Sequence, residues 1–362
     1  MKYGGVIGPT FVLSNHLRVE LIFEFRYEVY DMKLLVFASL VCLSGLRIGS
    51  VVAQERGEDV PKIIFDTDMG PDYDDVGALA VLHALAHRGE CIILATVASD
   101  SDPAIAPVIE IFNRYFDKPD IPIGQASGTA PDLLAENDWN DTLITRFFPG
   151  LRGKKYPDAL DIYRKVLSEQ EDHSVTIVTV GFLTNLSRLL DSPPDKFSSL
   201  NGMDLVKAKV KGWVAMAGKF PCGTEFNVRH DSAASFHVFK MWPTPVLFSG
   251  AEIGAKIFTG GRVAKEGGEN NPVSWAYAYN LKTYLKEVKT KRQSWDPITV
   301  LCAIRNPSEY FYLNGPGKLM INESGYDEWD PNGPAQHYFI SHKYAFDKIG
   351  RIIDSLMIYE PR

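Results

Sequence analysis

Short apolar runs alternate with longer apolar or amphipathic stretches along most of this chain. The run at residues 63–65 is continuous, which is typical of a strand covered on both faces. A Gly-Pro turn ends it, and the apolar stretch at residues 76–88 predicts a buried helix. The same criteria predict further strands at 91–98, 121–124, 175–180, 213–217 and 244–249, and further helices at 104–116, 272–287, 296–305 and 344–357. Such alternation predicts an α/β fold, with an open, mostly parallel, doubly wound Rossmann-like sheet flanked by helices.

Two segments depart from this alternation. Residues 132–152 are less regular, contain Trp139, and are predicted to form a loop over a site at the sheet edge. Residues 311–343 mix strand-like runs with NG, GPG and PNG turns. No repeat, low-complexity tract or linker interrupts the sequence after residue 53, so a single domain is predicted for residues 54–362.

Residues 1–53 are predicted to lie outside this domain. Met32 opens a charged start that is followed by an apolar run and then by small residues, which is the pattern of a secretory signal peptide cleaved near Ala53. Residues 1–31 would then be an upstream extension, with Met32 as the real start. We therefore expect a periplasmic or secreted protein with no stable membrane span in the mature chain. An N-terminal anchor is the alternative, although the apolar run is short for a span.

The composition is that of an ordinary globular protein, with 45% hydrophobic and 23% charged residues among 362. The formal net charge of −7 argues against a nucleic-acid partner, which would require a basic face. The cysteines after residue 53 are Cys91, Cys222 and Cys302, an odd and widely spaced set that forms no disulfide framework. The composition leaves a homo-oligomer open.

Five aspartates crowd the end of the first predicted strand: Asp66, Asp68, Asp72, Asp74 and Asp75. In an open α/β sheet, ligands bind at the carboxyl ends of the strands. So many carboxylates stay ionised in one place only beside a compensating cation, and an all-oxygen ligand set suits calcium before magnesium. A solvated acidic turn is the alternative interpretation. The pattern favours a metal site.

The aspartate segment resembles the DxDxGxDD motif of the nucleoside hydrolase family, with two extra residues between Gly70 and Asp74. The haloacid dehalogenase phosphatases open similarly, but they have Thr where this chain has Gly70, and the Asp74-Asp75 pair has no role in them. Three later segments are similar to the same hydrolase family and follow in its order: VTVGFLTN at 178–185, TEFNVRHD at 224–231 and WDP at 295–297. The resemblance extends from residue 62 to the C-terminus and implies the nucleoside hydrolase fold.

The resemblance implies a calcium site and a general base. Asp68, Asp75 and Asp296 are similar to the family's carboxylate ligands of calcium, and Val180 stands where the family contributes a backbone carbonyl. Asp68 also resembles the base that takes a proton from the attacking water. Independently of the family, a metal ion and a carboxylate together make a hydroxide-like nucleophile available at neutral pH.

The resemblance also implies contacts to the sugar. Asp74 and Asn227 would bond to ribose hydroxyls, and Glu225 would hold the far end of the sugar. Lys219 stands where the family usually has Asn, which favours a sugar with an anionic substituent. Whether Asp72 joins the metal stays open.

For the base, the chain is closest to the purine-specific inosine-adenosine-guanosine branch. Trp295 stands where many members have the catalytic His, and stacking on it would raise the base's affinity for a proton. Asp100 lies in a segment, SDSD, similar to the branch's TDAD, whose first Asp contacts the purine. Trp139 lies near the position of a second stacking Trp. Plain core packing is the other interpretation of either Trp.

Together these features predict a calcium-dependent hydrolase of the N-glycosidic bond of ribonucleosides, with a preference for purines. The alternative is a non-catalytic, calcium-dependent nucleoside- or sugar-binding protein on the same fold, because fold alone does not fix function. Asp68 argues for the enzyme, since a binding protein needs no base.

Overall fold

The apolar run before the aspartates forms the centre of the first strand, β1 (Lys62–Thr67). Its side chains alternate between two cores: Ile63 and Phe65 pack into one apolar cluster, and Ile64 packs into the other. Successive side chains of a strand point to opposite faces, so β1 is covered on both sides, as its sequence predicts.

The computed structural model describes residues 60–286 and 288–361, and these residues fall within one compact unit. The predicted signal peptide, the start at Met32 and the cleavage near Ala53 lie outside the described residues.

Eleven further strands follow in the described part of the chain: β2 (Ile92–Ala98), β3 (Ile123–Gly124), β4 (Val175–Thr179), β5 (Val210–Met216), β6 (Cys222–Thr224), β7 (Val246–Ser249), β8 (Phe258–Thr259), β9 (Arg292–Gln293), β10 (Phe311–Ile321), β11 (Tyr326–Asp330) and β12 (His337–His342).

The α-helices of the described residues are α1 (Asp74–His87), α2 (Ile105–Tyr115), α3 (Trp139–Phe147), α4 (Ala159–Ser168), α5 (Thr184–Asp191), α6 (Gly202–Lys209), α7 (Phe226–His230), α8 (Ser232–Met241), α9 (Ala251–Gly254), α10 (Val263–Glu266), α11 (Pro272–Thr283), α12 (Asp296–Ile304) and α13 (Phe346–Met357).

One large sheet carries the fold, with the strand order β3-β2-β1-β4-β5-β7-β12-β10-β11-β6. The strands from β3 to β12 in this order pair in parallel, and β10, β11 and β6 extend the sheet with antiparallel pairs. The mostly parallel α/β sheet predicted from the sequence is therefore confirmed. Strands β8 and β9 form a separate antiparallel pair.

Helices cover both faces of the sheet. The core on one face includes buried residues of α1, α2, α11, α12 and α13, and the core on the other includes those of α4, α5, α6 and α8. This two-sided covering is what the continuous apolar strands require, because both of their faces must be kept from water.

The segment predicted as an irregular loop, residues 132–152, contains the helix α3 and a short 3₁₀ turn, Pro149–Leu151. The loop prediction was wrong for this helix: α3 is mostly polar, and its narrow apolar side gives too weak a periodic pattern to indicate a helix. Trp139, Leu143 and Ile144 form that side and are buried, whereas its other positions are largely polar. Among the described residues, no helix is both long and apolar enough to cross a membrane.

Candidate active site

The aspartates lie where β1 meets α1, at the carboxyl edge of the sheet. Asp66 and Thr67 end β1, a short loop follows, and Asp74 and Asp75 form the first turn of α1. Acidic side chains are favourable there because the helix N-terminus carries partial positive charge. The structure thus brings the whole acidic segment to the edge where an α/β sheet binds its ligands.

A cavity of about 290 Å³ opens at this edge. Its walls combine carboxylates, an arginine and aromatic rings. They come from the aspartate loop, the ends of β4, β5 and β6, the starts of α7, α9 and α12, and the segment from residue 284 to β9. The lining residues are Asp68, Pro71, Asp72, Asp74, Val180, Met216, Thr224, Glu225, Phe226, Asn227, Ala251, Tyr284, Arg292, Trp295 and Asp296. A second cavity, of about 480 Å³, lies at the amino ends of the strands, beside Lys62 and His173. The first is the candidate site, because it holds the acidic cluster and lies at the ligand-binding edge.

Three carboxylates converge beside the cavity, and two of them, Asp72 and Asp296, line it. One oxygen from each of Asp72, Asp75 and Asp296 lies within 4.8 Å of the other two. Burial, and then the charges of Asp72 and Asp74, raise the pKa of Asp75 well above its usual range. Burial and the neighbouring aspartates do the same to the pKa of Asp296. These carboxylates are therefore poorly placed as anions without a cation between them.

Asp75 supplies the clearest sign that such a cation fits. Its Oδ1 accepts a short hydrogen bond from Thr67 Oγ1, whereas its buried Oδ2 has no hydrogen-bond partner. A buried carboxylate oxygen without a partner is costly, and a metal ion would satisfy it. Carboxylates are the ligands that calcium and magnesium prefer. The donor set thus fits a hard divalent cation.

Asp68 lies beside this trio in the same cavity and is not one of the three. Its side chain is buried, and burial, followed by the charges of Asp75 and Asp72, raises its pKa well above the usual range. The Val180 carbonyl, predicted as a metal ligand, accepts a hydrogen bond from Asn227 Nδ2 at 3.0 Å. Three of the four predicted metal-binding residues line this cavity: Asp68, Val180 and Asp296. The fourth, Asp75, lies outside the lining, with an oxygen within 4.8 Å of oxygens of Asp296 and of the additional carboxylate Asp72.

The predicted sugar-binding segment lines the same cavity. Glu225 caps α7: its Oε1 accepts from the backbone N–H of Asn227 at 2.9 Å, and its Oε2 accepts from that of Val228 at 3.0 Å. Burial raises the pKa of Glu225 to about 7. Glu225 and Asn227 both line the cavity and present polar groups to it.

Asp74 also lines the cavity, but the protein itself bonds to its carboxylate. Arg292 donates to Asp74 Oδ1 from Nε at 3.1 Å and from Nη2 at 2.9 Å. The backbone N–H groups of Trp295 and Asp296 donate to Asp74 Oδ2 at 3.0 and 3.4 Å. Burial raises the pKa of Asp74 to about 6, although Arg292 acts to lower it.

Arg292 is the functional residue that the sequence did not reveal. It is buried, and it also donates to Asp72 Oδ2 at 2.7 Å. It stands at the end of a cationic stretch, KTKR, and nothing local marks it as the one that is buried. The sequence indicated only that the negative charge of the aspartate loop needs a compensating cation, and that loop lies far from Arg292 in the sequence.

Trp295 forms the aromatic wall of the cavity. Its indole Nε1 donates to the carbonyl of Ala251 at 2.6 Å, which fixes the ring. The guanidinium of Arg292 lies 5.2 Å from the ring centroid. Tyr284 also lines the cavity, and its ring lies 5.0 Å from the same guanidinium. The structure therefore offers two aromatic side chains where a base could stack.

Trp139 does not reach the cavity, and its predicted stacking role is corrected. The side chain is fully buried, and its Nε1 donates to the carbonyl of Gly70 at 3.0 Å. Its neighbour Asn140 donates from Nδ2 to the carbonyl of Met69 at 3.2 Å. Helix α3 thus bonds to the backbone of the aspartate loop through Trp139 and Asn140, and Trp139 is a packing residue.

Asp100 and Lys219 are not among the residues that line this cavity, and their substrate contacts stay predictions. Asp100 is buried, and its two oxygens accept from the backbone N–H groups of Asp102 at 2.7 Å and Leu133 at 2.9 Å. Lys219 is exposed, and its backbone N–H donates a hydrogen bond to Asp327 Oδ1 at 3.1 Å. The cation in the cavity is Arg292, and two carboxylates already neutralise it.

Comparison with known proteins gives a consistent result. Residues 63–337 match the family model described as inosine-uridine preferring nucleoside hydrolase. The pyrimidine-specific ribonucleoside hydrolase RihA of Escherichia coli (strain SMS-3-5 / SECEC) is 26% identical over 264 residues, which cover 66% of this chain and 78% of RihA.

Solved structures share the fold. An inosine-guanosine nucleoside hydrolase, 16% identical, superposes with a TM-score of 0.64 over 83% of this chain and 100% of its own. A purine-preferring ribonucleoside hydrolase from Gardnerella vaginalis, 15% identical, superposes with a TM-score of 0.59 over 82% of this chain and 99% of its own.

Proposed function

Since the chain belongs to the family of inosine-uridine preferring nucleoside hydrolases, and is a hydrolase of N-glycosyl bonds, we propose that it cleaves ribonucleosides with calcium and favours purine bases. The observation that carries the proposal is the trio of Asp72, Asp75 and Asp296, in which the buried Oδ2 of Asp75 has no hydrogen-bond partner. Products are the free base and ribose.

Calcium is proposed over other ions because the site offers only oxygen ligands. Carboxylates from the aspartate loop and from Asp296, with the Val180 carbonyl and water, supply the six to eight oxygens that calcium takes. Asp75 and Asp296 would be among the residues that hold the ion. When bound, calcium acts as a Lewis acid toward a water molecule and toward sugar hydroxyls.

Asp68 is proposed as the general base. It lines the cavity beside the carboxylate trio, and its raised pKa reflects burial among uncompensated negative charges. A nearby cation reverses that effect, so Asp68 is a carboxylate able to accept a proton at neutral pH. It takes the proton of the water that attacks the anomeric carbon, while the bond from that carbon to the base nitrogen breaks. Glu225 and Asn227, which line the same cavity, would orient the sugar.

The departing base must gain a proton. None of the residues lining the cavity is a histidine, so no imidazole stands ready as the acid. We propose that stacking on Trp295, assisted by Tyr284, lets a purine take its proton at N7 from water. A pyrimidine has no equivalent nitrogen. The relative RihA is named pyrimidine-specific, so the preference depends on this chain's own aromatic wall.

We propose that the mature protein works outside the cytoplasm, as a periplasmic or secreted enzyme. The support is the charged, apolar and small-residue pattern that leads from Met32 to Ala53. N-terminal sequencing of the protein from its native host would show a start near Gln54. A mature chain that retains residues 33–53 would favour the N-terminal anchor instead.

The test is release of free base from inosine, guanosine, uridine and cytidine, followed by chromatography. Protein stripped with a chelator should release no base, and added calcium should restore release. Tight nucleoside binding without release would support the non-catalytic alternative. Release that continues in chelator would contradict the role of calcium.

A further inference from the structure

We propose that Arg292 gives two aspartates of the acidic loop different roles. It binds Asp74, which then has a structural role, and it leaves Asp72 able to serve as an additional carboxylate ligand of the metal. This inference rests on the proposed calcium-dependent function. It departs from the resemblance, which assigns Asp74 to ribose hydroxyls and gives Asp72 no role.

The first observation is that the acceptor sites of Asp74 are filled. A carboxylate has about four lone-pair sites, two on each oxygen. In Asp74, Oδ1 receives two donors from Arg292, and Oδ2 receives two backbone N–H groups at the start of α12. A sugar hydroxyl would have to displace one of these donors. Asp74 therefore joins the aspartate loop to β9 and α12, and it has no free site for substrate.

The second observation is that Arg292 is fixed in place. Its guanidinium lies between three aromatic rings, with distances to their centroids of 5.1 Å for Tyr73, 5.0 Å for Tyr284 and 5.2 Å for Trp295. Its side chain is only 8% exposed. A planar guanidinium suits such stacking and two-carboxylate pairing better than an ammonium does. Arg292 is thus part of the wall rather than a mobile group.

The third observation concerns Asp72. Its side chain is 34% exposed and lines the cavity, whereas the side chain of Asp74 is 1% exposed. One oxygen of Asp72 lies within 4.8 Å of oxygens of Asp75 and Asp296. Two oxygens that bind one calcium ion at 2.3–2.6 Å are at most about 5 Å apart, so this trio can share an ion.

The extra length of the loop explains how this arrangement arises. The chain has three residues between Gly70 and Asp74, two more than the short motif, and they include both Asp72 and Tyr73. Asp72 adds a carboxylate to the cavity, and the buried Tyr73 supplies one of the rings against Arg292. The longer loop and Arg292 therefore act together.

The experiment compares Asp72→Asn and Asp74→Asn, which remove the same charge from neighbouring positions. The matched control is Asp120→Asn, at an exposed aspartate that does not line the cavity. Calcium is titrated calorimetrically into each full-length protein after chelation, and the melting temperature of each is measured without metal. Asp72→Asn should weaken calcium binding by at least about tenfold. It should lower the melting temperature less than Asp74→Asn does, because Arg292 makes one hydrogen bond to Asp72 and two to Asp74.

Asp74→Asn should bind calcium within about threefold of wild type, and it should melt roughly 5 °C or more lower, because Arg292 loses its main partner. Calcium binding by Asp72→Asn equal to that of Asp120→Asn would overturn the inference, as would a larger loss in Asp74→Asn than in Asp72→Asn. If Asp74→Asn fails to fold, the half-exposed Asp72→Asn still decides the matter.

Failure of the proposed function gives a different result. Wild-type protein that neither binds calcium nor releases base would overturn the proposed function and this inference together. Wild-type protein that does both, with Asp72→Asn unimpaired, would overturn this inference alone.

Discussion

Replacement of Trp295 by alanine should lower the hydrolysis of inosine more than that of uridine. Trp295 lines the cavity beside the carboxylate trio, and its ring is fixed by the hydrogen bond from Nε1 to the carbonyl of Ala251. A purine offers a larger π-face than a pyrimidine and accepts a proton at N7. Loss of the ring therefore removes a contact that the purine uses more fully in the transition state.

The structure limits the size of this effect. Offset stacking contributes about 0.5–1.5 kcal/mol beyond area burial, which corresponds to roughly two- to tenfold in rate. Trp139 adds nothing, because it is fully buried and bonded to Gly70. Arg292 stacks on the Trp295 ring and uses part of one face. We expect the inosine-to-uridine ratio of kcat/KM to fall by no more than about tenfold.

The assay measures kcat/KM for release of hypoxanthine and uracil by the wild type and by Trp295→Ala. Taking the ratio of the two substrates cancels losses common to both, such as weaker metal binding or a lower folded fraction. Trp295→Phe keeps an aromatic ring, although a smaller one, and loses the hydrogen bond to Ala251, so it should retain more of the ratio than Trp295→Ala does. Equal losses on both substrates would mean that Trp295 only packs. A wild type that prefers uridine would refute the purine preference itself.

Three further predictions follow from the same geometry. Asp68→Asn should lower kcat by about 10²–10⁴-fold with little change in melting temperature, and near-normal turnover would rule out Asp68 as the base. Burial raises the pKa values of Asp66 and Glu225 to about 7, so the folded state binds more protons than the unfolded state does. Calorimetry of the metal-free protein should therefore show stability falling as pH rises from about 6.5 to 8.5, and calcium should reduce that fall; rising stability would contradict this reading. The buried histidines, whose pKa values are lowered to about 4, oppose the trend only below about pH 6.5. Trp139→Phe should cost about 1–3 kcal/mol of stability measured by denaturant unfolding, yet keep the inosine-to-uridine ratio within about twofold; a larger change in the ratio would restore Trp139 to the site.

Much of the fold followed from the sequence because its signals are local. Continuous apolar runs and the turns between them predicted β1, β2, β4, β5 and β7, and the structure confirms these strands in one sheet. The acidic segment, the EFN segment and the WDP segment also converge as expected, since each follows or precedes an element that ends at the carboxyl edge of the sheet.

The errors at the site concern the direction and partners of single side chains. Trp139 belongs to a helix whose apolar side faces the aspartate loop, and sequence spacing alone did not show which way that side points. Arg292 pairs with carboxylates more than two hundred positions away, so no local pattern marks it.

The most direct test of the central claim is a crystal structure of the protein grown with calcium and a nucleoside analogue that resists hydrolysis. The account predicts one calcium ion that lies about 2.3–2.6 Å from oxygens of Asp75 and Asp296. It also predicts that the sugar lies in the cavity, in contact with that ion and with Glu225. Carboxylates without an ion at saturating calcium, or a sugar bound away from this cavity, would contradict it.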